Sequence, residues 1–131
     1  QSGEENDASP TNDVVRISYE IVFNATPVAG DSLRFYLAKG DEASSGEIWS
    51  GGIGTSEGDI TVAADIAEVK AAMFSVHEHA WRTSHGTTFK GLFDVRNFGP
   101  SWQLLVEANG EALAASGHTV RYRYGSFQVQ S

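Results

Sequence analysis

Three histidines fall within nine positions of one another: His77, His79 and His85, in the run SVHEHAWRTSHG. On an extended backbone His77 and His79 point to the same side, and His85 can return from the loop behind them. Three imidazoles meeting at one point would hold Cu²⁺ or Zn²⁺. The plainer reading is a solvated strand face, with the histidines as ordinary polar residues beside Trp81. An H-x-H pair whose third ligand has no defined spacing is a weak metal signature.

The tryptophans are the second group. Sugar-binding surfaces stack a pyranose on an exposed Trp or Tyr and complete the contact with polar side chains. Trp81 shares its strand face with His77 and His79, which suits such a platform. Trp49 stands beside the glycine-rich stretch Gly51–Gly54 and is a second candidate. Trp102 alternates with apolar neighbours and reads as core.

The third group is Arg121 and Arg123. They share one face of the C-terminal strand, with Tyr122 and Tyr124 on the other. Two guanidiniums side by side suit a carboxylate, a sulfated sugar or an acidic partner. The plainer reading pairs them with Glu20 or Glu107 across the sheet.

Nucleophilic and nucleotide chemistry has little to work with. There is no cysteine, so thiol catalysis, disulfides and cysteine metal sites are excluded. No P-loop or G-x-G-x-x-G fingerprint occurs. The chain reads as non-catalytic, with no cofactor required.

Composition narrows the partners. Nine Lys and Arg against seventeen Asp and Glu give a net charge of −8. That balance repels the phosphate backbone, so nucleic acid is not an expected partner. No window reaches the roughly 18 apolar residues of a membrane span, so membrane insertion is not expected either. Residues 1–13 form a polar leader carrying Glu4, Glu5, Asp7 and Asp13. With a start at Gln1 rather than Met, this suggests a secreted or cell-surface protein whose signal has been removed.

These residues need elements to position them. In residues 14–24, Val15, Ile17, Tyr19, Ile21 and Phe23 alternate with Arg16, Ser18, Glu20 and Val22, the period of a half-buried strand. Leu33, Phe35 and Leu37 repeat the pattern. Phe89, Phe93 and Val95 share a face of a later strand, and Trp102, Leu104, Val106 and Ala108 share a face of the next. Asn109-Gly110 predicts a type I′ hairpin with residues 111–115 pairing back. Residues 47–50 read as a short apolar patch around Trp49, running into a stretch too rich in Gly for a stable central strand. Residues 60–62 read as a brief strand, and residues 119–130 as a last strand with a bulge at Gly125-Ser126. Two patterns compete in residues 63–82. Asp65 and Glu68 read as a helix capping box, and Ile66, Val69, Met73, Val76 and Ala80 keep helical spacing. A short helical turn followed by a strand is preferred, because a β domain needs that strand. The count is about eight strands with closely spaced turns. It predicts a mainly β antiparallel sandwich or jelly roll over residues 14–131, with one short helix near 65–72.

The stretch ITVAADIAEVKAAMFSV, followed by a Phe-rich strand, resembles the TerD-type calcium-binding stress-protein sandwich. The shared feature is a strand, an Ala-Asp-x-x-x-Val turn and a further strand, over about a third of the chain. That family's acidic calcium-binding runs are not found: residues 54–59 offer only Glu57 and Asp59. The resemblance implies a sandwich, and no functional residue is carried over from it.

Three functions follow as expectations. The first is an extracellular binding module for carbohydrate, using Trp81, His77, His79, Trp49, Arg121 and Arg123. The second is a structural subunit of a fibre, coat or homo-oligomer, with the leader or an edge strand adding to a protein partner. The third is a metal protein centred on His77, His79 and His85.

Overall fold

A computed structural model describes residues 5–6, 13–41, 48–49, 63–73, 75–99 and 101–125. Its strands are β1 (Glu5–Asn6), β2 (Val14–Val22), β3 (Ser32–Asp41), β4 (Ile48–Trp49), β5 (Ser75–Ala80), β6 (Thr88–Arg96), β7 (Ser101–Asn109) and β8 (Thr119–Gly125), with one helix, α1 (Ala63–Ala72). Six strands are substantial, and β1 and β4 are two residues each.

The alternation read in residues 14–23 builds the centre of one sheet. β2 lies between β6 and β8, antiparallel to both, from Val14↔Arg96 to Val22↔Thr88 on one side and from Val14↔Gly125 to Glu20↔Thr119 on the other. Its inward residues Val15, Ile17, Tyr19, Ile21 and Phe23 are all buried. In the second sheet β3 is central. β7 lies along one side of it, and β5 and β4 pair with the other. β1 joins the outer edge of β7, with Glu5 opposite Trp102 and Asn6 opposite Ser101. Two residues of the polar leader are thus a strand of the chain's own sheet.

The sheets pack face to face. Leu33, Phe35, Leu37, Trp102 and Leu104 of one meet Val15, Ile17, Phe23, Phe89 and Phe93 of the other in one apolar cluster. Burying large side chains of this kind stabilises by roughly 1.5–3 kcal/mol each. The mainly β sandwich is as expected from the sequence.

Helix α1 adds a third layer. Val69 and Met73 bury against Tyr36, Ala38 and Leu105, which face away from the sandwich interior. Lys70 forms an ion pair with Glu107, which also accepts a hydrogen bond from the Tyr36 hydroxyl at 3.2 Å. The helix begins at Ala63, so Asp65 lies inside it rather than capping it. It runs through Ala72, in keeping with the short helix expected near 65–72, and the strand expected after it follows as β5.

Two further expectations change. Residues 111–115 do not pair back on β7. The chain crosses to the other sheet, where Leu113 bridges Phe23. Gly110 (φ +107°) serves that departure, and a Cβ there would strike the Asp31 side chain. The second correction concerns β5. His77 and His79 sit opposite Phe35 and Leu33 and turn into the sandwich, while Glu78 and Ala80 are exposed. The His–Trp face is the inner one, not a solvated platform. The strand expected at 60–62 and the bulge at Gly125-Ser126 lie outside the described residues.

Phe35 has no exposed surface and packs at the centre, its ring against Tyr19, His77 and Phe93. Phe35→Ala is expected to destabilise the domain by about 3–5 kcal/mol, measured as a lower urea midpoint with an unchanged slope.

Candidate functional site

Two groups of residues carry chemistry: a polar chain inside one edge of the sandwich, and a basic face on the outside of the three-stranded sheet.

The polar chain begins with Tyr19. Its cross-strand partner is Gly91, and a Cβ on Gly91 would lie 2.5 Å from the Tyr19 oxygen. Glycine therefore opens the path by which the phenol reaches β5. There its oxygen lies 3.1 Å from Nε2 of His77 and 2.6 Å from Nδ1 of His79. His79 Nε2 is 3.4 Å from Nε2 of His85, and His85 Nδ1 is 3.1 Å from the Arg82 backbone nitrogen. His77 stacks on Phe93 at 4.6 Å, and Phe89 packs against both His79 and His85. The three histidines singled out in the sequence do converge.

One backbone donor orders the whole chain. An amide N–H can only donate, so His85 Nδ1 accepts from Arg82. Neutral His85 then carries its proton on Nε2 and donates to His79 Nε2. His79 carries its proton on Nδ1 and donates to Tyr19, whose O–H donates to His77 Nε2. Burial pushes the Tyr19 pKa up to about 12. Burial also lowers the pKa of His77 and of His79, and His79 is lowered further by its neighbours His85, His77 and Arg82. Burial thus favours the neutral form of His77 and of His79. The His79 and His85 Nε2 atoms are about as far apart as two ligands of one tetrahedral ion. Even so, His85 cannot present an Nε2 lone pair while its Nδ1 accepts from Arg82. Among the described residues no group of three or more His, Asp or Glu side chains is arranged to hold a metal ion.

The outer face is built by alternation in β6, β2 and β8. Lys90, Leu92, Asp94 and Arg96 project from β6, Arg16, Ser18 and Glu20 from β2, and Thr119, Arg121 and Arg123 from β8. Five of the nine basic residues of an acidic chain stand on this one face. Arg16 binds Asp94 through two nitrogens, at 2.7 and 3.0 Å, and holds that carboxyl below the usual range. Lys90 approaches Glu20 at 3.7 Å, and Arg96 approaches Asp13 at 3.5 Å. Arg121 lies opposite Ser18, and Arg123 lies opposite the already paired Arg16. Both are exposed, and neither forms an ion pair among the described residues. The expected partners are engaged elsewhere: Glu20 with Lys90, and Glu107 with Lys70. Beside Arg121 is a shallow hollow lined by Ser18, Glu20, Lys90, Leu92 and Thr119.

The remaining candidates are scattered. Trp81 is half-buried against the core, with its indole N–H enclosed. Trp102 is core, and donates to the Tyr124 hydroxyl at 2.8 Å. Trp49 lies in β4 opposite Gly40, and its side chain is outside the described part of the structure. Sequence reasoning missed Tyr19, Gly91, Lys90 and Leu92. The one signal for Tyr19 was a hydroxyl in an otherwise apolar inward row.

No family model, no curated protein and no solved structure matches the chain.

Tyr19→Phe leaves a donor and an acceptor on β5 unsatisfied and is expected to destabilise by about 1–3 kcal/mol. Gly91→Ala should act in the same direction by displacing the phenol. Urea unfolding at pH 7.5 checks both, and wild-type stability in either variant contradicts the described contacts.

Proposed function

We propose that this domain is a non-catalytic, extracellular binding module that takes an acidic carbohydrate, sulfated or uronate-rich, on the outer face of β6, β2 and β8. The observation that carries the reading is the exposed pair Arg121 and Arg123, which has no carboxylate partner among the described residues. A guanidinium engages a sulfate or carboxylate through two parallel hydrogen bonds and is weakly hydrated, so it gives up water at modest cost. The strand spacing of residues 121 and 123 presents two such forks in a row, as successive acidic groups along a glycan require. The adjoining hollow supplies what a sugar ring needs. Ser18, Thr119, Glu20 and Lys90 offer hydrogen-bonding groups. Leu92, 59% exposed, offers an apolar contact for the C–H face of the ring.

Charge argues for a glycan over a nucleic acid. The net charge of −8 opposes the long-range approach of a polyphosphate, while a local basic face still attracts a shorter anion. Glycans of this class are displayed outside cells, which agrees with a secreted or cell-surface setting. The platform first expected at Trp81, His77 and His79 is turned inward, so the reading moves from aromatic stacking to guanidinium recognition.

Titration calorimetry with a heparin oligosaccharide, beside a neutral oligosaccharide of the same length, tests this. The sulfated ligand should bind and weaken as salt is raised. The double variant R121A/R123A should lose about 10-fold or more in affinity, since hydrogen bonds to charged groups contribute roughly 1.5–3 kcal/mol each. Equal binding of the neutral ligand, or wild-type affinity in the double variant, overturns the reading.

A further inference from the structure

Strand β5 is an edge strand of its sheet: among the described strands it pairs only with β3. Its register shifts between Phe35 and Tyr36. Its outer side chains Val76, Glu78 and Ala80 are exposed, so little apolar burial holds it from that side. On its inner side it meets the other sheet through His77 and His79, both bonded to Tyr19 of β2. The polar chain, with the packing of the same rings on Phe93 and Phe89, is therefore what ties β5 to the opposite sheet.

We propose that this chain is an acid-operated latch on β5, closed while its imidazoles are neutral and opened when they take up protons. Each ring has one nitrogen committed as an acceptor: His85 Nδ1 to Arg82 N–H, His79 Nε2 to His85, and His77 Nε2 to Tyr19. A proton on His85 Nδ1 or His79 Nε2 sets donor against donor, and a proton on His77 Nε2 takes away the acceptor of the Tyr19 O–H. The groups facing the rings offer no compensation. β2 contributes the Tyr19 hydroxyl, and β3 contributes Phe35. β6 contributes Phe89 and Phe93, and the turn after β5 contributes Arg82 and His85. No carboxylate of a described residue forms an ion pair with any of these imidazoles. A charged His79 stands beside His77, His85 and Arg82, all cationic or able to become so.

The sign follows from linkage. The folded pKa of His77 and of His79 lies below the ordinary histidine value of about 6.5. The unfolded or opened state then binds more protons, and the latch is fully effective above about pH 6.5. It weakens as pH falls from there toward the folded values.

Amide hydrogen exchange on the whole chain at pH 7.5 and 5.5, corrected for intrinsic rates, tests the latch. Protection of the β5 amides and their β3 partners should fall about 10-fold or more at the lower pH, while β2 and β7 amides keep theirs. In the variant H77Q/H79N the amide groups reproduce the acceptor at 77 and the donor at 79 but cannot titrate, so the pH effect on β5 should disappear. Equal loss across all strands overturns the proposal, as does a β5 effect that survives in the variant. Should the variant fail to fold, nitrogen-15 imidazole spectra of the wild type decide the matter. The latch requires the Nδ1–H form of His79 and the Nε2–H form of His85 at pH 7.5. Rapidly exchanging tautomers there overturn it.

Discussion

A phenol hydroxyl closed between two sheets must find hydrogen-bond partners, and much of this molecule's edge follows from that requirement at Tyr19. Leaving such a group unsatisfied costs about 1–3 kcal/mol, comparable to a sizeable part of a small domain's net stability. The surroundings are arranged accordingly. Gly91 leaves room for the ring to pass. β5 turns His77 and His79 inward rather than outward. The turn after β5 brings back His85, anchored by the Arg82 amide. The three imidazoles then lie against Phe35, Phe89 and Phe93, tied to Tyr19 and to the Arg82 amide.

The two outer faces divide the remaining work. Over the sheet centred on β3, apolar outward residues such as Tyr36, Ala38 and Leu105 call for a cover, and α1 supplies it through Val69 and Met73. On the sheet centred on β2 the outward residues are charged or hydroxylated and stay exposed. Asp94 answers Arg16 and Glu20 answers Lys90, which leaves the excess positive charge on β8. The imbalance is local, on a protein that is acidic as a whole. Under the proposed function, the two guanidiniums on β8, unpaired among the described residues, are what an anionic ligand would meet on that face.

Much of the fold was legible in the sequence. Period-2 alternation in β2, β3 and β7 gave their inward faces correctly, because each of these strands packs one side on the core. Three features were not legible, each for a tertiary reason. Helical spacing from Ile66 to Met73 continues formally to Val76 and Ala80, so no local signal separates α1 from β5. β5 itself was read inside out. Hydropathy assigns Val76 and Ala80 to the core, but at the sandwich margin the polar side is the one that Tyr19 satisfies. Asn109-Gly110 has the composition of a hairpin turn, yet the following chain is drawn across to pair Leu113 with Phe23. The convergence of His77, His79 and His85 was visible in their spacing, while their partner on β2 was not. Likewise Arg121 and Arg123 announced a shared face, but the basic surface is the sum of three strands brought together by register.

On the proposed function, the basic face of β6, β2 and β8 is where an acidic glycan sits. Amide chemical-shift mapping of the labelled protein during titration with a sulfated oligosaccharide measures that directly. The shifts should concentrate at Ser18, Lys90 to Leu92 and residues 119–123, leaving β5 and α1 unmoved. Shifts confined to β5, β7 or α1, or none at saturating ligand, would contradict it.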